Sequence, residues 1–182
     1  GDWSSDVCSS DLAGVRDQKA AEMIVRRFKE SADLRISEAV EVIKSYKIPG
    51  RYVMAASLVD RILDSPNEGK EAGNFFYIAW MAEEGGLLTR RHIRKAVDHR
   101  DAEIRSDALL LIDSLPREEA RGIMKKRMVD PDPVVRERAI HVAWDLCGPA
   151  DEDWLRKLAQ QEKDSECRWK FSNLFLQLKE GR

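Results

Sequence analysis

The chain has 182 residues, with 31 Lys and Arg against 33 Asp and Glu for a formal charge of −2, and it is 43% hydrophobic and 35% charged. That length suffices for one buried core or one short repeat array, and the composition excludes collagen, disorder and a disulfide scaffold. No run approaches the roughly 18 uninterrupted apolar residues of a membrane span, and the near-neutral charge argues against whole-protein electrostatic attachment to nucleic acid or anionic lipid.

In chain order, residues 1–12 come first and stand apart. They have no helical or strand period, no initiator Met, and a composition unlike that of residues 13–182. Asp2 to Leu12 resembles the conceptual translation of a short-read sequencing adapter, which makes residues 1–12 an expected non-native, disordered leader joined to a truncated reading frame; the alternative is a natural disordered leader. On this expectation, genuine N-terminal sequence is missing. Setting the segment aside removes Asp2, Asp6 and Asp11 and no basic residue, which leaves 31 basic against 30 acidic residues and a net charge of +1. Cys147 and Cys167 then remain, without CxxC spacing, which fits a reducing, cytoplasmic compartment.

The next segments read as helices without a strong motif. One is expected near Val15 to Ser31, a second on Ile36, Val40 and Ile43, a third near Tyr52 to Leu63, and a fourth carrying Tyr77 and Trp80, with Trp80 on an apolar stripe and so expected in the core. Breaks at Ile48-Pro49-Gly50, Ser65-Pro66-Asn67, Gly85-Gly86, Leu115-Pro116 and Gly148-Pro149 separate the helices. Further first helices are predicted at Thr89 to Val97, Pro116 to Val129 and Asp151 to Gln160.

The C-terminal half repeats one pattern three times. The copies are Asp101-Ile104-Arg105-Ala108-Leu111-Leu115, Asp132-Val135-Arg136-Ala139-Val142-Leu146 and Asp164-Cys167-Arg168-Phe171-Leu174-Leu178, with their Asp residues 31 and 32 positions apart. The apolar positions fall at i, i+4, i+7 and i+11, one stripe on one helix face. Each Asp sits where an N-cap belongs, and Pro133 occupies the first helical position, where its missing N–H costs nothing. The whole reads as all-α, a single domain over 13–182 made of about five helical hairpins, approximately 13–47, 50–84, 87–115, 116–147 and 150–179.

The Asp-x-x-Val-Arg-x-x-Ala core of the middle copy, with its lead-in Asp130-Pro131-Asp132-Pro133, resembles a HEAT repeat of the short bacterial kind also found in phycobilin lyase subunits. The resemblance covers residues 98–147 best, 148–179 fairly and 13–85 weakly. It implies a right-handed α-solenoid in which the second helix of each pair lines the concave surface and the Asp and Arg residues form a ladder between neighbouring repeats. Cys167 and Phe171 depart from the pattern, as a terminal repeat with one neighbour tolerates.

The charged residues sort into structural and exposed sets. Arg105, Arg136 and Arg168 each follow Asp101, Asp132 or Asp164 by four residues, so pairing with an Asp of the same or the adjacent repeat is expected rather than phosphate binding. Off the apolar stripe lie Arg138, His141 and Asp145, with Lys170, Asn173 and Gln177 as their equivalents 32 residues later; these are the candidates for a partner-binding surface. Trp169 aligns with the exposed-reading Ser106 and Glu137 and either closes the array or anchors a partner. The basic cluster from Arg90 to Arg100 is expected to be a solvated face, with an anionic-partner patch as the alternative. Cys147 stands about 240° around the helix from His141, against a Cys-His dyad. No HxxxH, CxxC, HExxH, GxGxxG, Walker or GxSxG spacing occurs, so no catalytic residue, cofactor or metal is expected.

These readings point to a non-catalytic scaffold, expected to be a monomer, that binds a protein or peptide partner through its second helices. Two alternatives stand beside it. HEAT-like arrays occur in alkylpurine DNA glycosylases, which keeps nucleic acid open as a less favoured partner, with Trp144, Asp145 and Arg138 as the nearest equivalents of their cleft. A bilin lyase-like chaperone rests on the repeat resemblance alone.

Overall fold

The fold is given by a computed structural model. It describes residues 36–45, 50–64 and 73–180, together with the helical positions Met23 and Arg26. The expected leader 1–12 and most of the helix expected near Val15 to Ser31 lie outside the described residues. Every regular element among the described residues is helical, and two compact units divide the chain between His92 and Ile93.

The first unit contains α1 (Ile36–Ser45), α2 (Arg51–Asp64) and α3 (Phe75–Glu84). Its core is drawn from one side of each helix: Ile36, Val40 and Ile43; Met54, Leu58 and Ile62; Phe75, Ile78 and Ala82. Full burial of such side chains stabilises by about 1.5–3 kcal/mol each. Helix α3 ends in a Schellman turn. The Gly86 amide donates to the Glu83 carbonyl at 2.8 Å and the Leu87 amide to the Ala82 carbonyl at 2.8 Å, and Gly86 supplies the required left-handed backbone at φ 68°. Gly85 allows a close approach: a Cβ there would stand 2.4 Å from Tyr52 Cβ.

Trp80 departs from expectation. It is 46% exposed, its ring 6.1 Å from that of Tyr77, with Lys44 Nζ 5.2 Å from the Tyr77 ring centre. The sequence Phe75-Phe76-Tyr77-Ile78-Ala79-Trp80-Met81-Ala82 is apolar on all sides, so periodicity cannot select the buried face, and packing chooses Phe75, Ile78, Ala79, Met81 and Ala82.

Helix α4 (Arg90–Val97) crosses into the second unit, which continues with α5 (Ala102–Ala108), a 3-10 turn over Leu109–Ser114, α6 (Arg117–Arg127), α7 (Pro133–Leu146), a 3-10 turn over Pro149–Asp151, α8 (Glu152–Gln161) and α9 (Ser165–Glu180). Helix α5 packs on α7, and α7 on α9. The second helices therefore stack in sequence order, as consecutive turns of an α-solenoid do.

Their apolar stripes face inward. Ile104, Ala108, Leu111 and Leu115 are buried, as are Val135, Ala139 and Leu146, and Cys167, Phe171, Leu174 and Leu178. Val142 is half-buried, while Ile140 and Ala143 complete the buried side of α7. The first copy is not one continuous α-helix. It tightens to 3-10 at Leu109, where three residues per turn align Leu109 with Ile112, both buried. It ends at Leu115, whose ψ of 160° is the extended backbone forced on a residue before proline.

Candidate functional site

Each second helix in the second unit begins with a capping aspartate. Asp101 Oδ1 accepts from the amides of Glu103 at 2.9 Å and Ile104 at 3.3 Å. Asp132 accepts from Val134 at 3.0 Å and Asp164 from Cys167 at 3.0 Å. These bonds satisfy first-turn donors that the helix itself leaves open.

The arginine four residues on does not pair with that aspartate. Arg105 reaches forward 25 residues to Asp130, with Nε to Oδ2 at 3.0 Å and Nη2 to Oδ1 at 2.7 Å, while its Nη1 donates to the carbonyls of His99 and Arg100 at 2.9 and 2.8 Å. Arg136 repeats the arrangement 26 residues forward onto Glu162, with both contacts at 2.8 Å, and its Nη1 donates to the carbonyls of Asp130 and Pro131. Both are two-pronged charge-assisted pairs across a repeat boundary. The ladder thus has its acceptors in the linker ahead of each cap. Arg168 is exposed and forms no ion pair among the described residues.

A linker acceptor also ties down the backbone. Asp130 Oδ1 accepts from the Asp132 amide at 3.0 Å, Glu162 Oε1 from the Asp164 amide at 2.9 Å, and His99 Nδ1 from the Asp101 amide at 3.1 Å. Asp130 gathers a further bond from Arg127 at 2.8 Å, and Arg127 and Lys126 both pair with Asp98. Burial opposes ionisation of Asp130, but bonds from Arg105, the Asp132 amide and Arg127 outweigh it and hold its carboxyl below the ordinary range. Glu162 is lowered chiefly by Arg136.

A second inter-repeat lock joins α6 to the turn before α8. Arg121 donates to Asp151 at 2.9 and 3.1 Å, and Lys125 lies 3.3 Å away. Asp151 also accepts from the Gly148 amide at 3.1 Å. Burial resists its charge, yet the Arg121, Gly148 and Lys125 bonds prevail and bring its carboxyl down to about 2.

The candidate partner row lies elsewhere on the same helices. On α7, Arg138 is half-buried with Nε 3.5 Å from Ser106 Oγ, His141 is half-buried with its ring 5.2 Å from that of Trp144, and Asp145 is exposed. On α9, Lys170, Asn173 and Gln177 are half-buried, and Lys170 pairs with Glu137 at 3.3 Å. The two trios sit on helices that pack together. Trp169 is 56% exposed, with Lys170 Nζ 5.5 Å from its ring. Trp144 Nε1 is buried without a hydrogen-bond partner among the described residues. Within the basic cluster, Arg94 donates to Glu119 at 2.7 Å and His92 Nε2 lies 3.1 Å from Asp60.

Both thiols are buried. Burial pushes Cys147 up to about 11 and Cys167 up to about 12, so each is a protonated packing group at neutral pH. No group of three or more metal-ligating side chains occurs among the described residues, and none of their helices is long and apolar enough to cross a membrane.

Residues 91–173 match the HEAT repeats family. Residues 91–173 carry HEAT repeats. The matched stretch runs from α4 into α9 and takes in all three capping aspartates and both paired ladder arginines of the HEAT region. No curated protein and no solved structure matches the chain.

Residue-by-residue reading missed Asp130 and Glu162 as ladder acceptors in the HEAT region. The signal that could have found them is an acceptor two positions ahead of each capping aspartate: His99, Asp130 and Glu162.

Proposed function

We propose that the protein is a non-catalytic HEAT-repeat scaffold, monomeric and cytoplasmic, which binds a protein or peptide on the surface formed by the second helices α7 and α9. The observation that carries this reading is a division among the charged side chains. Arg105 and Arg136 are consumed by carboxylates and carbonyls that hold the array together. Arg138 and Lys170 also reach a neighbouring second helix, at Ser106 and Glu137, but with His141, Asp145, Asn173 and Gln177 they form a polar row on two packed helices that keeps solvent access, which suits recognition of a peptide's polar groups.

Raised thiol pKa values at Cys147 and Cys167 support the non-catalytic reading, as does a His141 ring packed at a tilt of 52° beside that of Trp144. Alanine at Arg138, His141 or Lys170 should weaken partner capture at least fivefold while moving the melting temperature by no more than about 4 °C, because surface pairs contribute about 0–1 kcal/mol. Loss of folding would make the row structural. A gel shift with duplex DNA that appears at low salt and collapses at moderate salt would replace this reading with a nucleic-acid one.

A further inference from the structure

The two ladder pairs of the HEAT region are built on one plan, but their surroundings differ. Beside the first, Arg127 Nη1 donates to Asp130 Oδ2 at 2.8 Å, the same oxygen that accepts from Arg105 Nε at 3.0 Å, and Arg127 and Lys126 both pair with Asp98. One repeat on, counted from the capping aspartates, Val129 stands for Asp98, Leu158 for Lys126 and Ala159 for Arg127, while the carboxylate persists as Glu162. Glu162 Oε2 accepts from Arg136 Nε at 2.8 Å. The other bonds to this carboxylate, from Arg136 Nη2 and the amides of Lys163 and Asp164, all go to Oε1. Among the described residues Glu162 Oε2 thus carries one bond where Asp130 Oδ2 carries two, and a carboxylate oxygen has room for the second.

A cavity of about 220 Å³ opens at this place, larger than the roughly 150 Å³ void that takes benzene. Its apolar walls are the buried Met128 and Phe171 together with Val129 and Leu158, and Arg136 and Glu162 line it as well. The Glu162 side chain is only 7% exposed, whereas Val129 is 64% exposed and gives access from solvent. The helix dipole points the same way. The last turns of α4 and α6 carry Arg94 and Lys95, and Lys125, Lys126 and Arg127, but that of α8 carries no basic residue, so its negative end favours a cation supplied from elsewhere.

We propose that this pocket takes an arginine side chain from a partner protein, its guanidinium donating to Glu162 Oε2 and its aliphatic stem lying along Val129 and Leu158. The incoming group stands where Arg127 stands beside Asp130, so the array itself supplies the template. Arginine suits the site better than lysine, because a guanidinium is more weakly hydrated than an ammonium and loses less on approaching an enclosed carboxylate. Lys163, which also lines the pocket, is exposed and keeps its charge in water, where screening limits its repulsion. Both hairpins that flank the pocket are present, α6 with α7 and α8 with α9. A further repeat would stack on the outer side of α8 and α9 and leave the pocket open. None of its lining residues belongs to the row at Arg138, His141, Asp145, Lys170, Asn173 and Gln177.

The test is a nuclear magnetic resonance titration of the isotope-labelled full chain with N-acetyl-arginine amide, its neutral citrulline counterpart and free arginine, read at the amides of Val129, Leu158 and Glu162. The blocked arginine is expected to bind at least tenfold more tightly than the citrulline compound, and free arginine no more tightly than the blocked form. Ala159→Arg supplies a guanidinium from within and should weaken binding at least tenfold without lowering the melting temperature. Val129→Asp, at an exposed position, restores the counterpart of Asp98 and should tighten the blocked arginine at least threefold while leaving the citrulline compound unchanged. Equal binding of the arginine and citrulline compounds, or binding of neither, overturns the proposal. So does undiminished binding by folded Ala159→Arg, and should that variant fail to fold, a Val129→Asp variant that does not tighten binding overturns it alone. Tighter binding of free arginine would make the occupant a small molecule and overturn the assignment to a partner's side chain.

Discussion

Replacing Asp130 with alanine removes the most enclosed acceptor of the inter-repeat ladder. The Asp130 side chain is 0% exposed and that of Arg105 10%. Four donors lose their acceptor: Arg105 Nε and Nη2, Arg127 Nη1 and the Asp132 amide. Arg105 keeps its two carbonyl contacts, but its charge is left buried without a counter-ion. Breaking a buried pair from one side costs about 3–5 kcal/mol. For a chain of this size each kcal/mol corresponds to about 2–4 °C, so the melting temperature should fall by about 6–20 °C, followed by circular dichroism at 222 nm. Arg105→Met added to Asp130→Ala should recover part of the loss, since it removes the stranded guanidinium. Arg94→Ala is the control: its side chain is 63% exposed in its pair with Glu119, and the expected cost is about 0–1 kcal/mol. A loss below about 1 kcal/mol for Asp130→Ala, or one equal to that of Arg94→Ala, would refute the view that the ladder is a desolvated lock.

Acid should loosen the same locks. Asp130, Asp151 and Glu162 have lowered folded-state pKa values, so their stabilisation is complete above the unfolded carboxyl range and is lost as pH falls through the folded values, near 2 for Asp151. Asp151 alone should contribute about 1–2 kcal/mol after allowance for screening. Urea midpoints should therefore fall between pH 6 and pH 3, less steeply in Asp151→Asn, and a flat profile would contradict the assignment. Gly85→Ala should destabilise by about 1–3 kcal/mol because the new Cβ meets Tyr52. Gly122→Ala, with open space around it inside α6, should stabilise by about 0.5–1 kcal/mol, and chemical denaturation reads both signs. Cys147 and Cys167 should resist a thiol reagent at pH 8 in the native state and react after unfolding; stoichiometric labelling of the folded chain within seconds would contradict their burial.

Local signals proved readable in the HEAT region because they act within a few residues. The caps at Asp101, Asp132 and Asp164, the proline at the start of α7 and the inward stripes of α5, α7 and α9 all depend on near neighbours in the chain. The ladder acceptors depend on contacts 25 and 26 residues away, and only the recurrence of an acceptor before each cap hinted at them. Trp80 departs from the expected core because the apolar run from Phe75 to Ala82 has no face that period alone can choose. The shift to 3-10 geometry at Leu109 follows from core packing and from Leu115 preceding Pro116, and an α-helical period conceals it. The partner row was placed by its offset from the apolar stripe, yet its pairings with Ser106 and Glu137 belong to the stacked array.

The scaffold reading is tested most directly by a photocrosslinking amino acid placed singly at His141, Asn173 or the outer position Glu118, in extracts of the source cells. The account predicts the same partner adduct from positions 141 and 173 and none from 118. Adducts of equal yield at all three positions, or adducts at 118 alone, would contradict it.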